Sequence, residues 1–477
     1  MARLNEVFGI TATVPTHTYV DRAGLDGQFS HLLGSDRHVV IYGASKQGKT
    51  SLRRKQLPEK NCVIVPCKPD HRLEDLYQEI RRQLGMKDPI GTKKVAGGDG
   101  KVQLEGSGSA GVPLMGKLEM TGAVEGAVHQ SEEEEFLPVT DIGSLVALSK
   151  AINSSGKRVV IEDFHYLSED ERQRLAFDLK ALWDNGTFFI IVGVWAEQNL
   201  IIVYNNDLNG RVEEIDVRWN DEDLGKVLSQ GEGALRIAID DGLKQAMIAD
   251  ANGNVGLLQR LAEKLCSNAG VYDTQLKPKT LDDYNTLANS RDQICHSQEN
   301  RYHAFVDLVS RGFKDPERTK LKMYHHIVRV CFESSEQELL NGITRQTMLA
   351  RIQQFEPEAN MSVLSAALSR LNRLQAERKI FPPVLAYNNI ARTVSLVDRE
   401  FLFFREHTRR HWPWEEPDYD PKTDDLFGRT SRQANIGIRI RVARRFRDGP
   451  LPTNAVPSCD FTYGHEVPPR QGARRPR

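Results

Sequence analysis

The chain has 477 residues, which is too long for one ordinary hydrophobic core and predicts two or three domains. Its 64 basic and 65 acidic side chains give a net charge of −1, which excludes an attraction of the whole protein to nucleic acid or to an anionic membrane. Six cysteines without a CxxC pair fit neither a disulfide framework nor a zinc ribbon, so they are interpreted as reduced thiols.

The beginning of the sequence, MARLNEVFGI, lacks a basic start followed by a long apolar core. No window approaches the run of about 18 apolar residues that indicates a membrane span. A secretory signal and a membrane partner are therefore not expected, and the predicted location is cytoplasmic.

A short apolar run, HVVIY at 38–42, is typical of a strand buried on both faces of a parallel sheet. The pattern G-x-x-x-x-G-K-S/T follows at Gly43, Gly48, Lys49 and Thr50, and a helix comes next. In such a unit, backbone N–H groups and the positive end of the helix bind phosphates, Lys49 reaches the β- and γ-phosphates, and Thr50 holds magnesium. The predicted nucleotide-binding residues of the loop are Gly43, Ala44, Ser45, Lys46, Gln47, Gly48, Lys49, Thr50 and Ser51.

Two further elements and an insertion separate this loop from the second motif. Residues 61–67 are another buried-strand candidate, and residues 72–85 have the spacing of an amphipathic helix. The insertion at 91–136 has ten glycines between 91 and 126, and its alternating apolar residues predict a small β-hairpin. Two interpretations are open: a flexible excursion, or an arm that adds a strand to a neighbouring subunit or contacts a partner.

The second motif is KRVVIEDFHYL at 157–167, in which three aliphatic residues precede Glu162 and Asp163. Carboxylates at the carboxyl end of a strand lie where ligands of open α/β sheets bind. We therefore assign Glu162 to magnesium through water and Asp163 to activation of the attacking water. The predicted catalytic residues are Lys49, Glu162 and Asp163, and the predicted metal-binding residues are Thr50 and Glu162.

A helix at 168–186, with Ser168 as the expected N-cap, and a strand at 187–195 continue the alternation of strands and helices. This alternation predicts a parallel sheet covered by helices on both faces. The predicted fold class is therefore α/β, with a three-layer P-loop NTPase core over residues 1–220.

From residue 301 the pattern becomes helical. Apolar residues at helical spacing predict helices at 301–313, 320–332, 344–355 and 362–380. Two short extended runs and a last helix at 399–407 follow. Three helices and then a β-hairpin is the order of a winged helix, so residues 301–408 are predicted to be a winged-helix domain.

The predicted third helix and wing carry a modest set of basic residues: Arg370, Arg373, Lys379 and Arg392. Glutamates at 356, 358 and 377 dilute this charge, so two roles stay open: contact with DNA, or packing against another domain or a protein partner. Residues 409–477 form a proline-containing tail with eleven arginines against three acids from 429 onward. The tail is predicted to be disordered and can add nonspecific affinity for nucleic acid.

Over residues 15–400 the chain resembles the AAA+ ATPases of the origin-recognition type and the related STAND ATPases. The residues that carry the resemblance are the glycine loop, the EDFHYL strand, the segment TYVDRAGLDGQFSHLL at 18–33 and the passage at 206–235. The resemblance implies a helical lid at 221–300, with ATP and Mg²⁺ as ligands. It also implies a homo-oligomer or a partner protein, and a conformational switch in prokaryotic defence or DNA transactions.

The resemblance also implies roles for residues outside the loop. In those families the segment that contains Tyr19 and Arg22 helps to hold the adenine base. Arg211 occupies the place of an arginine finger or a phosphate sensor. Arg260 occupies the place of the sensor arginine on a lid helix, so all four are predicted nucleotide-binding residues.

The acidic pair departs from the AAA+ pattern, because Glu162 stands where aspartate is usual and Asp163 stands where glutamate is preferred. A shorter second carboxylate positions water less well, so slow hydrolysis is predicted. Three functions remain open: an ATPase switch, a DNA-binding regulator or loader licensed by ATP, and a scaffold that holds ATP without hydrolysing it.

Overall fold

The computed structural model describes residues 1–11, 13–22, 24–86, 142–195, 198–313, 321–389, 391–409 and 412–415. The predicted hairpin insertion at 91–136 lies outside the described residues. Of the predicted tail at 409–477, only residues 409 and 412–415 are described. The interpretations of both segments therefore stay predictions.

Among the described residues, five strands form one parallel sheet in the N-terminal part of the chain. The strands are β1 (His38–Tyr42), β2 (Cys62–Pro66), β3 (Arg158–Glu162), β4 (Phe189–Val192) and β5 (Val212–Asp216). Their order is β2-β3-β4-β1-β5, so β1 pairs with β4 on one side and β5 on the other. Every residue of β1 is buried, which explains its uninterrupted apolar run.

Helices cover both faces of this sheet. The first helix of the chain, α1 (Leu4–Val7), packs elsewhere, and the helices on the sheet are α2 (Leu25–Leu33), α3 (Lys49–Gln56), α4 (Leu73–Gln83), α5 (Ile142–Ser155), α6 (Glu169–Asp184) and α7 (Leu200–Tyr204). Alternate residues of β1 point to opposite faces: Val39 and Ile41 pack with α2 and α3, and Val40 and Tyr42 pack with α4 to α7. The predicted three-layer α/β fold is confirmed.

The strand β5 was not predicted, because residues 206–235 were interpreted only as the passage into a lid. Glu213, Glu214 and Asp216 interrupt its apolar pattern. Such charges are tolerated because β5 is an edge strand, with a partner on one side only.

After the sheet the chain forms a helical segment with one short parallel strand pair. Its elements are α8 (Asp221–Leu235), β6 (Ile237–Ile239), α9 (Asp241–Ala251), α10 (Val255–Asn268), β7 (Lys279–Leu281) and α11 (Tyr284–Arg311). The predicted domain boundary at residue 300 falls inside α11, a single helix of 28 residues. The residues of α1 also belong here, because Leu4 and Val7 are buried in the same cluster as α8 and α10.

The remaining described elements form the C-terminal part. They are α12 (Met323–Glu333), α13 (Glu336–Asn341), β8 (Ile343–Thr344), α14 (Arg345–Ile352), α15 (Met361–Leu368), α16 (Leu371–Glu377), β9 (Leu385–Asn388), β10 (Thr393–Leu396) and α17 (Glu400–His407). The three strands form an antiparallel sheet in the order β8-β10-β9. The helix predicted at 362–380 is divided into α15 and α16 by a turn at Ser369 and Arg370.

The helix α17 joins the C-terminal part to the helices before it. Phe401, Phe403 and Phe404 are fully buried. They belong to one hydrophobic cluster that includes residues of α8 to α12 and α14 to α16. The helices after the sheet therefore share one core.

None of the helices in the described ranges combines the length and apolar character that a bilayer crossing requires. The described cysteines are free and buried: Cys62, Cys67, Cys266, Cys295 and Cys331. Burial raises the pKa of four of these thiols to about 12, which keeps them protonated at neutral pH.

A buried histidine in β1 makes the sheet sensitive to acid. The Nδ1 atom of His38 accepts a hydrogen bond from the Phe189 N–H at 2.9 Å, and Nε2 donates to the Leu179 carbonyl at 2.9 Å. Burial lowers the pKa of His38 from 6.5 to about 4, opposed by the Leu179 hydrogen bond and assisted by the Arg158 charge. The ring is therefore neutral in the folded chain.

Between pH 6.5 and 4 the unfolded chain binds a proton that folded His38 does not bind, so stability should fall as the pH falls. The expected loss from this group is about 3 kcal/mol at pH 4. His38→Asn keeps an acceptor for the Phe189 N–H and should reduce the loss of stability between pH 7 and 4. Denaturant unfolding at several pH values measures this, with His31→Asn, an exposed histidine of α2, as the control. Equal pH dependence of the wild type and His38→Asn would contradict the prediction.

Candidate functional site

The glycine loop joins the carboxyl end of β1 to α3, as its motif predicts. Gly43 has a φ of 139°, and a Cβ there would lie 3.0 Å from Cγ2 of Val217. Gly48 is the N-cap of α3, with a φ of 80°. The loop therefore depends on glycine at both ends, and it presents backbone at the positive end of a helix. The other predicted loop residues lie in this loop or in the first turn of α3: Ala44, Ser45, Lys46, Gln47, Thr50 and Ser51.

The side chain of Lys49 folds back into this loop. Lys49 is 7% exposed, and its Nζ donates to the carbonyl oxygens of Gly43 at 3.1 Å and Ala44 at 2.6 Å. Burial lowers the pKa of Lys49 to about 7, while the charge of Asp163 acts in the opposite direction. No ion pair of Lys49 is present in the described part of the chain, so the loop holds a buried cation that an anion would stabilise.

The acidic motif lies at the carboxyl end of β3, as predicted. Because all five strands are parallel, this end shares one edge of the sheet with the glycine loop, and β4 lies between β1 and β3. Asp163 follows the strand with a φ of 57° and is exposed. Partial desolvation and the neighbouring charge of Glu162 raise the pKa of Asp163, and the charge of Lys49 opposes them.

Glu162 has a partner that the sequence interpretation missed. Arg53, a fully buried residue of α3, donates from Nε and Nη2 to Oε1 of Glu162 at 3.2 and 2.8 Å. The carboxylate assigned to magnesium therefore serves as a counter-ion to an arginine. Arg53 lies one helical turn after Lys49, but that spacing gives no signal that the two motifs are joined by an ion pair.

The segment predicted to hold adenine does lie beside the loop. Arg22 is buried, donates from Nη1 to the carbonyl oxygens of Gln47 at 3.0 Å and Val217 at 3.1 Å, and stacks on the Trp219 ring at 4.3 Å. Burial lowers the pKa of Arg22. Arg22 thus has a structural role, because its Nη1 atom links the glycine loop to the backbone after β5.

Tyr19 contacts α2 and the last turn of α3. Its hydroxyl donates to Asp26 at 2.5 Å, and the Lys55 ammonium lies 3.8 Å from its ring centroid. One face of the ring is therefore covered by a cation of α3. The role of Tyr19 at an adenine base stays a prediction.

The junction between α9 and α10 packs directly on the glycine loop. The Gly256 N–H donates to the Lys46 carbonyl at 3.2 Å, and Nε2 of Gln47 donates to the Gly253 carbonyl at 3.0 Å. A Cβ at Gly256 would lie 2.7 Å from Cβ of Lys46, so this close approach requires glycine. The predicted lid segment is therefore in contact with the predicted phosphate loop.

A buried carboxylate of α17 reaches the same loop from the C-terminal part. Glu400 is 2% exposed and accepts from Nζ of Lys46 at 2.9 Å, Nη1 of Arg260 at 3.2 Å and Nε2 of Gln298 at 2.5 Å. We call these four side chains the Glu400 clasp. Arg260 thus lies close to the loop, as predicted, but its guanidinium is bonded to Glu400 and to Oγ of Ser297 at 3.1 Å.

Arg211 lies away from the glycine loop of its own chain, and its role as an arginine finger or a phosphate sensor stays a prediction. Its carbonyl accepts from the N–H of His38, the first residue of β1, so it lies at the amino edge of the sheet. The glycine loop lies at the opposite, carboxyl edge. The guanidinium of Arg211 stacks on Trp183 at 4.6 Å and donates to the carbonyl of Asp207.

The site fits a magnesium nucleotide by its chemistry. The backbone of the loop is concave, and a Cβ at Gly43 would be in close contact with its neighbours. The loop also contains the buried ammonium of Lys49, which has no ion pair in the described residues. Both features are suited to phosphate. The Thr50 hydroxyl and the Asp163 carboxylate are the oxygen donors that Mg²⁺ prefers. In the described ranges no group of three or more His, Cys, Asp or Glu side chains could hold a metal ion, so magnesium would also need phosphate oxygens.

The parallel sheet, the loop between β1 and α3 and the acidic end of β3 define the class: residues 24–216 contain a P-loop NTPase core. No protein-family model and no curated protein matches the sequence. The structure is similar to that of a Walker-type ATPase of Pyrococcus abyssi, with 11% identity, a TM-score of 0.45 and coverage of 84% of this chain and 99% of that chain.

Two other solved structures are also similar. Cdc6p of Pyrobaculum aerophilum is 13% identical, with a TM-score of 0.36 and coverage of 84% of this chain and 96% of that chain. A STAND protein with a tetratricopeptide repeat sensor, from Pyrococcus horikoshii, is 12% identical, with a TM-score of 0.33 and coverage of 83% of this chain and 43% of that chain. At these TM-scores the similarities carry no argument about function, which rests on the residues of the site.

Proposed function

We propose that this chain is an ATP-binding, slowly ATP-hydrolysing molecular switch of the AAA+ or STAND kind, which acts in prokaryotic defence or in DNA transactions. The observation that carries the proposal is the buried ammonium of Lys49 inside the glycine loop. A buried cation beside N–H groups at a helix start favours an anionic group, and a nucleotide triphosphate provides one.

The loop residues divide the binding of Mg-ATP among them. Lys49 turns from the carbonyl groups of Gly43 and Ala44 to the β- and γ-phosphates, and the N–H groups of the loop bind phosphate oxygens. Thr50 would hold magnesium through its hydroxyl. Magnesium, when bound, neutralises phosphate charge as it develops in the transition state. The base lies toward Tyr19, on the side where Arg22 ties the preceding segment to the loop.

Hydrolysis depends on the acidic end of β3. Asp163 is the exposed carboxylate of the pair, whereas Glu162 is bonded to Arg53. Water attacks the γ-phosphate in line, and a site with one open carboxylate supports this step weakly. Slow turnover is therefore part of the proposal.

The Glu400 clasp connects the glycine loop to the helices after the sheet, as the proposed switch requires. It joins Lys46 of the loop to α10, α11 and α17 through one buried carboxylate. An incoming triphosphate attracts Lys46 and is repelled by Glu400, so nucleotide binding weakens this link. The helices after the sheet thereby respond to the nucleotide.

The test is the rate of γ-phosphate release by the wild type, Lys49→Ala and Asp163→Asn. Turnover that both substitutions abolish is the expected result. Turnover that survives Lys49→Ala would refute the proposal. Tight ATP binding without turnover in the wild type would leave a nucleotide-gated scaffold that does not hydrolyse ATP.

A second candidate function is an ATP-licensed DNA-binding regulator or loader. The feature that favours it is the order of α12, α14 and α15–α16 followed by the β9–β10 hairpin, which we interpret as a winged helix. Basic side chains at the proposed third helix and wing are exposed: Arg370, Arg373, Lys379 and Arg392. Glu356, counted among the diluting acids, is buried and does not offset them at the surface.

This candidate predicts DNA binding that requires ATP and weakens steeply with salt, because phosphate contacts release counterions. Fluorescence anisotropy with a DNA duplex, with and without ATP, measures it. DNA that also raises the rate of phosphate release would favour the regulator. The absence of DNA binding at low salt would leave the C-terminal part as a packing or partner surface.

A further inference from the structure

The two carboxylates of the acidic motif lie in different surroundings. Glu162 and Val160 are two residues apart in β3, so their side chains lie on the same face of the sheet. Val160 packs with Leu52 of α3 on that face. Its side chain therefore points to the face of the sheet that α3 covers, where Arg53 meets it at 2.8 Å. Asp163 lies beyond the end of the strand and is exposed.

Glu162 is the counter-ion of the buried Arg53 guanidinium. The Arg53 side chain is fully buried, and Glu162 is the carboxylate that pairs with it in the described residues. The Nη1 atom of Arg53 has no hydrogen-bond partner there, so the guanidinium is already incompletely satisfied. A metal ion that drew Glu162 away would leave a buried cation without a counter-ion, which is strongly unfavourable.

We propose that Arg53 is a positioning residue that keeps Glu162 as its counter-ion, and that Asp163 is the carboxylate that supports magnesium when ATP is bound. This inference rests on the proposed function, because it concerns the metal of the same nucleotide. It reverses the assignment that the order of the two acids predicts, in which Glu162 serves the metal.

The magnesium effect on ATP binding tests the inference without measuring turnover. The effect is the ratio of the ATP dissociation constant in EDTA to that in Mg²⁺, measured by calorimetric titration. Asp163→Asn is expected to lower this ratio by about 10- to 100-fold. The double variant Arg53→Met with Glu162→Gln, which replaces the ion pair by two neutral side chains, is expected to keep it.

The double variant is needed because Glu162→Gln by itself leaves the Arg53 guanidinium buried without an anion. Thermal unfolding shows whether each variant is folded before it is titrated. A ratio that Asp163→Asn preserves, or that the double variant loses, would overturn the inference. Recovery of the ratio when Arg53→Met is added to Asp163→Asn would support it, since Glu162 is then released to serve the metal.

The failure of the inference differs from the failure of the proposed function. A wild type that binds ATP neither in EDTA nor in Mg²⁺ refutes the nucleotide site itself. If the wild type binds ATP, and the magnesium effect is lost in the double variant but kept in Asp163→Asn, only the assignment of Asp163 is refuted.

Discussion

Lys49→Ala should lower the affinity for ATP by about 30- to 5,000-fold, because the loss of a buried charge partner costs about 2–5 kcal/mol. Lys49 is 7% exposed, and its ammonium group donates to the carbonyl oxygens of Gly43 and Ala44. The ammonium therefore lies inside the loop, where a phosphate would bind. Titration with a fluorescent ATP analogue, followed by competition with ATP, measures the change.

A matched control removes an equal charge at the opposite edge of the sheet. Lys60 is exposed, close after the end of α3, and Lys60→Ala should leave the affinity nearly unchanged. Equal affinities of Lys49→Ala and the wild type would show that the loop is not a phosphate site. Thermal unfolding separates loss of binding from loss of fold.

The second large effect is expected for Glu400→Gln, which keeps the shape of the side chain and removes its charge. Breaking a buried ion pair costs about 3–5 kcal/mol. The partners Lys46 and Arg260 are 41% and 22% exposed. Water therefore compensates part of the loss, and we expect the free energy of unfolding to fall by about 2–3 kcal/mol. Denaturant unfolding measures it.

The same substitution should raise the affinity for ATP, on the order of tenfold. Glu400 places a negative charge next to the loop, and its removal frees Lys46 to approach phosphate. By reciprocity, ATP should weaken the attachment of α17 in the wild type, which amide hydrogen exchange of 400–407 can detect.

The exposed ion pair between Arg373 and Glu377 provides the control. Its atoms are 2.8 Å apart, but the two side chains are 71% and 50% exposed. Glu377→Gln should therefore change stability by less than about 1 kcal/mol and should leave ATP affinity unchanged. If Glu400→Gln lowers ATP affinity instead of raising it, the clasp supports the binding form of the loop and does not restrain it.

The local elements of the core were predictable from short stretches of sequence. The run 38–42 is apolar because both faces of β1 are covered, and the spacing of Gly43, Gly48 and Lys49 reflects a loop confined between a strand and a helix. Ser168 was expected to cap a helix, and its Oγ accepts from the Glu171 N–H at 3.3 Å. These features depend on neighbouring residues, so the sequence predicts them well.

Elements that depend on their place in the sheet were harder to predict. Three of the five residues of the strand β5 are charged, which its edge position allows. Arg211 comes directly before this strand, so its place at the amino edge of the sheet, away from the loop, could not be predicted without β5.

The sequence by itself determined the P-loop core, the position of Lys49 in it and the presence of two acids at the end of β3, because each follows from local spacing and burial. Only the tertiary structure decided which charges meet. Arg53 and Glu162 are 109 residues apart, and Lys46 and Glu400 are 354 residues apart. A buried charge that loses its counter-ion is strongly destabilising, and folding brings these two counter-ions together from distant parts of the chain.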